Sequence, residues 1–152
     1  MASVLGDEID VLAKAKRALD ADYTPTEDEA YMSEQQLNYF RVLLLEWKKS
    51  ILSASEFTLQ SLQDGPIREP DLNDRASSET DWGIELRTRD RQRKLIAKID
   101  AALRRLEDGS YGFCEETGEP ISLKRLDARP IATLSVEAQE RHERRERVYR
   151  DD

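Results

Sequence analysis

Two stretches of helical periodicity, separated by a segment that no helix can cross, constrain this chain more than any other feature. The first, SEQQLNYFRVLLLEWKKSILSASEFTLQSLQD, begins at Ser33, and the second, DRASSETDWGIELRTRDRQRKLIAKIDAALRRLED, ends at Asp108. Between them lies GPIREPDLN, in which Gly65-Pro66 ends the first helix and Pro70 precedes the second. In the first stretch Leu37, Phe40, Leu44, Trp47, Ile51 and Ala54 alternate spacings of three and four, the period of a two-helix seam. Ile96, Ile99, Leu103 and Leu106 repeat it in the second. The pattern predicts an antiparallel coiled-coil finger in which the Leu37–Trp47 stretch faces the Ile96–Leu106 stretch. The seam fades outward, where Thr58 and Ser61 take heptad positions and Trp82, Ile84 and Leu86 are the apolar residues opposite. At 1.5 Å per residue, arms of roughly 30 residues reach about 45 Å. Such an arm, with its apolar seam at its base, is suited to carrying its tip to a partner. A plain helical hairpin inside a bundle shares the same pattern.

Charge narrows the partners. The 152 residues carry 32 acidic and 24 basic side chains, a net charge of −8. An acidic chain gains nothing from phosphate neutralisation, so direct DNA or RNA binding is disfavoured and a positively charged protein groove is the better fit. The single cysteine excludes an intramolecular disulfide and suits a reducing compartment. No apolar run approaches membrane-spanning length and the N-terminus lacks a signal-peptide core, so the expected location is the cytoplasm. There is no nucleophile–base set, phosphate loop or metal cluster, which argues against an enzyme.

The fold class expected is mainly α, in four parts. Residues 1–32 hold an amphipathic stretch (Val4, Leu5, Ile9, Leu12, Leu19) and an acidic linker, packing on a globular base. Residues 33–108 form the finger, with its tip at about 65–77; Ser33 and Gln36 make a capping-box pattern at its start. Asp71 and Asp74 sit near the start of the second helix, where a carboxylate can accept from free backbone N–H groups. Residues 109–134 lose the helical period and read as a small knob with a short hairpin turning at Glu116-Thr117-Gly118, packed by Tyr111, Phe113, Ile121, Leu123, Leu126 and Ile131. Residues 135–152 are a charged helix with Ser135 as its N-cap.

Several separate motifs, in order, resemble the DksA/TraR family of bacterial regulators. They are YMSEQQLNYFRVLLLEWKKSI, PDLNDRAS, ELRTRDRQRKLIAKI, YGFCEETGEPI and KRLDARPIATL, spread from Tyr31 toward the C-terminus. The resemblance implies a coiled coil, a small zinc-finger-like domain and a C-terminal helix. It implies a non-enzymatic protein, expected to be a monomer, that binds RNA polymerase and not DNA. The finger would enter the secondary channel and destabilise promoter complexes. With the alarmone ppGpp it would repress ribosomal RNA promoters and activate some biosynthetic ones, as in the stringent response. The family's Asp-x-x-Asp-Arg-Ala tip is matched by Asp71, Asp74, Arg75 and Ala76. Its ppGpp site maps onto Lys98 and Arg129, with Leu95 alongside and Gln139 where lysine is usual. The departure is at the metal. Two Cys-x-x-Cys pairs are reduced here to Cys114, Thr117, Ser135 and Ala138, and His142 stands alone on a charged helix, so no zinc is expected. Cys114 is then either a small packed residue or a thiol open to oxidation. Two other readings remain open: a Gre-like transcript-cleavage factor using the same channel, and a helical adaptor without polymerase contact.

Overall fold

The computed structural model describes residues 11–16, 23–64 and 72–151. Two long helices, α1 (Glu34–Asp64) and α2 (Leu72–Asp108), are followed by a short α3 (Leu123–Ala128) and a C-terminal α4 (Val136–Asp151). Residues 11–16 are also helical. The chain divides into two compact units, residues 1–19 with 45–99 and residues 20–44 with 100–152. The start of α1 therefore shares a unit with the end of α2, as antiparallel partners must. No helix among the described residues is long and apolar enough to cross a membrane.

The capping pattern starts α1 with one variation. Ser33 Oγ accepts from Gln36 N–H at 3.3 Å, but the Gln36 amide oxygen accepts from Met32 N–H at 2.8 Å, one residue before the expected partner. Met32 has φ +54, which turns the incoming chain so that this N–H points back at Gln36. Gln36 is buried; its amide also donates to Thr26 O and the Glu29 carboxylate. Glu29 further accepts from Tyr23 O–H and Thr26 N–H. Residues 23–32 are thereby fastened to the start of α1 within their own unit.

In the unit of residues 45–99, Trp47, Ile51, Leu95 and Ile99 are buried, together with Leu12 and Ala15. Residues 11–16 thus group with the outer finger helices, whereas the sequence pattern put the whole 1–32 segment on the base. In the other unit Phe40, Leu43, Leu44, Ala102, Leu106, Tyr111, Ile121, Leu126, Ile131, Ala132 and Ala138 form the core. On α2 the buried line is therefore Leu95, Ile99, Ala102 and Leu106, not Ile96, Ile99, Leu103 and Leu106. The two lines share Ile99 and Leu106 and differ by one residue elsewhere. Sequence spacing fits both, and the small Ala102 is what a close helix approach selects.

The knob follows α2 through Gly109 (φ +84), after which Ser110 N–H and Tyr111 N–H both donate to Arg105 O at 3.1 Å. The expected hairpin is reduced to one antiparallel bridge, Phe113 with Pro120, around the 115–117 turn. Gly112 has φ +87, and a Cβ there would lie 2.9 Å from the Tyr31 hydroxyl and 2.7 Å from the Met32 terminal methyl. Gly112→Ala is expected to cost about 1–2 kcal/mol from the left-handed backbone alone, read as a lower urea midpoint. The Tyr31 hydroxyl lies within hydrogen-bond distance of two carbonyls, Gly112 O and Ile121 O, and burial raises its pKa to about 12, so it is a neutral donor.

Phe113 corrects the sequence reading of the knob core. Tyr111 is buried and its hydroxyl donates to Pro130 O at 2.7 Å, whereas Phe113 is 38% exposed and meets Tyr31 edge-on. Leu123 is half-buried.

Candidate functional site

The four positions of the degenerate metal motif lie in the knob and at the start of α4. Cys114 is buried. Its N–H donates to Glu119 O and its carbonyl accepts from Gly118 N–H, both at 2.8 Å, which closes the turn around its side chain. Burial opposes ionisation of the thiol. Hydrogen bonds from the Thr117 hydroxyl and from the backbone N–H groups of Ser135, Thr117 and Glu116 outweigh it and lower the pKa from 9.0 to about 6. Thr117 Oγ1 accepts in turn from Glu119 N–H at 3.2 Å. Ser135 Oγ caps α4 by accepting from Ala138 N–H at 3.2 Å, as its sequence position predicts. Ala138 has no exposed surface. Glu115 N–H bonds Thr133 O at 2.9 Å and Arg125 Nε–H bonds Leu134 O at 2.8 Å, so the turn and the approach to α4 are cross-tied by direct hydrogen bonds. The contributions of Thr117 and Ser135 around the sulfur are not written in the spacing of the motif; the hydroxyl types at former ligand positions were the signal available.

The tip is described only in part. Asp71 lies outside the described residues. Asp74, Arg75 and Ala76 are on the first two turns of α2, with Asp74 its third residue, where a negative charge complements the helix N-terminus.

The residues expected at the alarmone site fall in both units. Lys98 is exposed on α2, and Leu95 beside it is buried in the seam, so Leu95 offers packing rather than a polar contact. Arg129 is exposed and caps α3 through its N–H to Arg125 O at 2.7 Å; Gln139 donates its amide to Glu143 at 3.2 Å.

Comparison with known proteins gives these positions their setting. Residues 36–106 match the family described as "DnaK suppressor protein DksA, N-terminal domain", and residues 109–144 match "Prokaryotic dksA/traR C4-type zinc finger". A Caulobacter vibrioides protein named RNA polymerase-binding transcription factor DksA is 67% identical over 132 residues, covering 87% of this chain and 93% of that one. The chain belongs to the DksA family. The Escherichia coli K12 member is 40% identical over 125 residues, 82% of this chain and 83% of its own. The solved structure of Pseudomonas aeruginosa transcription factor DksA2 superposes with a TM-score of 0.71 at 44% identity, covering 92% of this chain and 98% of that one.

The zinc-finger match makes the metal a direct question for this DksA-family chain. Tetrahedral zinc needs four N, S or carboxylate donors. Here Cys114 supplies one sulfur, already encircled by N–H and O–H donors; the Ser135 hydroxyl is spent on the cap; and the Ala138 methyl has no donor. The donor set does not fit zinc.

That arrangement has a pH signature. The folded-state pKa of Cys114 is depressed, so its contribution to stability is fully present above the unfolded thiol range near 9 and is lost as pH falls toward 6. Urea midpoints measured from pH 9 to pH 6 should fall more steeply in the wild type than in Cys114→Ala, which lacks the titrating group.

Proposed function

We propose that this chain regulates transcription by binding RNA polymerase directly, with no catalytic activity of its own. The observation that carries the reading is the 67% identity, along most of both chains, to a relative named for polymerase binding. Two long consecutive helices that can form a finger, and an acidic net charge suited to a basic groove, support it. The finger enters the secondary channel as a monomer, in the cytoplasm, and places Asp71, Asp74, Arg75 and Ala76 near the catalytic centre, where the short carboxylates meet basic or polar groups. Promoter complexes with short lifetimes, those of ribosomal RNA above all, are thereby destabilised. The protein does this without bound zinc.

ppGpp strengthens the effect by binding Lys98 and Arg129 against the polymerase, with Leu95 and Gln139 alongside. Phosphate pairs with lysine and arginine through charge-assisted bonds, and a neutral glutamine removes one of three cations. The test is transcription in vitro from a ribosomal RNA promoter by the cognate polymerase, with the full-length protein, with and without ppGpp. Inhibition deepened by ppGpp is the expected result. Failure to bind polymerase would overturn the proposal, and transcript release from stalled complexes would replace it by a cleavage role. Lys98→Ala combined with Arg129→Ala should bind polymerase normally and lose the ppGpp increment. Gln139→Lys should lower the ppGpp concentration needed, by about tenfold for one restored charge-assisted bond of at least ~1.5 kcal/mol.

A further inference from the structure

A cavity of about 310 Å³ lies within the unit of residues 20–44 and 100–152. Residues 24–27 form one part of its lining and α3 another; Phe40, which has no exposed surface, backs its floor. Each part is fixed by bonds of its own. Tyr23 O–H donates to the Glu29 carboxylate at 2.9 Å, and the same carboxylate accepts from Thr26 N–H at 3.1 Å, which closes the 23–29 segment on itself. Helix α3 is anchored by the fully buried Leu126 and capped by Ser122. Tyr39 ties the two together. Its ring meets Tyr23 edge-on at 6.1 Å, and its hydroxyl donates to Asp127 Oδ1 at 3.0 Å. The lining is therefore in place before anything binds, which spares the cost of ordering it.

The chemistry of the lining narrows what fits. Pro25 and Leu123 give it an apolar part, and Glu27, Lys124 and Asp127 bring two carboxylates and one ammonium. The volume is at the small end of the range of about 300–1,000 Å³ for ligand sites, so the occupant is a small molecule. A phosphate-bearing ligand would face the two carboxylates. An uncharged one would desolvate three charges without pairing any of them. The matching set is two cations and one anion joined by an apolar stem. We propose that this cavity binds a free basic α-amino acid, of the arginine or lysine type. Its carboxylate meets Lys124, its two cationic groups meet Glu27 and Asp127, and its aliphatic stem lies along Pro25 and Leu123. Asp127 can take part while holding Tyr39, because a carboxylate accepts at about four lone-pair sites.

The test is titration of the full-length ¹⁵N-labelled protein with L-arginine at constant ionic strength. Amide resonances of residues 24–27 and 123–127 should shift saturably. Lys124→Ala and Glu27→Gln, both at exposed positions, should each weaken binding about tenfold, the value of one charge-assisted contact. L-Leucine, which lacks the second cation, should bind about tenfold more weakly than L-arginine, and so should N-acetyl-L-arginine amide, which lacks the free carboxylate and ammonium. No saturable shift in the wild type overturns the proposal, as do shifts that both substitutions leave unchanged. Equal binding of L-leucine removes the basic side chain from it. Equal binding of the blocked arginine overturns it in favour of an arginine side chain from a partner protein. The measurement contains no polymerase, so it stands or falls separately from the regulatory reading.

Discussion

Phe40→Ala is expected to destabilise the protein by about 3–5 kcal/mol, the cost of deleting a fully buried phenyl ring. Phe40 has no exposed surface and lies at the centre of an aromatic cluster, with Tyr39 at 5.2 Å and Tyr111 at 5.5 Å between ring centroids. Its position carries more than its own transfer energy. Tyr111 is held from beneath by Phe40 and at its hydroxyl by Pro130 O, and Tyr39 reaches Asp127 at 3.0 Å. Removing the ring therefore loosens α1, the knob and α3 together. A domain of this size is stable by only about 5–15 kcal/mol, so the loss is a large share of the total. Urea unfolding of the full chain followed by helix signal should show a lower midpoint with little change in slope. An effect below about 1 kcal/mol would mean that the cluster is not the core of its unit.

The sequence was most informative where local chemistry and global fold agree. Ser33 and Gln36 cap the start of α1 (Glu34–Asp64), and the Asp108-Gly109 signal ends α2; the Gly65-Pro66 signal lies outside the described residues. It was least informative where two readings satisfy one period. The buried line on α2 could be counted from Leu95 or from Ile96, and only packing against α1 chooses. Tyr111 and Phe113 look equivalent as alternate residues of a strand, but the positive φ of Gly112 breaks the pleat between them, so one ring turns inward and the other outward. Helix α3 was hidden by its length of six residues. Ser122 capping Arg125 N–H at 3.2 Å and the Leu123/Leu126 spacing were its only marks. At the candidate site the loss of metal ligands was legible residue by residue. What replaces them was not, because backbone N–H groups aimed at a sulfur leave no trace in residue identity.

Asp74→Asn is expected to leave polymerase binding within about twofold of wild type and to lower inhibition of a ribosomal RNA promoter by about 10–100-fold, the value of one lost charge-assisted contact of ~1.5–3 kcal/mol. The substitution keeps the shape of the side chain and removes its charge. If Asp74 serves only the helix, the change costs the few tenths of a kcal/mol to about 1 kcal/mol of a charge at a helix N-terminus. Such a loss, confined to the first turns of α2, would not reach regulation. If the carboxylate instead meets a basic or polar group of the channel, the contact is made only with the finger inserted, so binding and inhibition separate. Arg75 and Ala76 follow Asp74 on the same turns of α2, and Ala76→Thr should behave similarly by crowding rather than by charge. Competition between wild type and Asp74→Asn for polymerase, run beside the transcription assay, reads the two quantities independently. Equal loss of both would assign Asp74 to affinity, and loss of neither would leave it as a helix-start residue with the regulatory contact elsewhere on the finger.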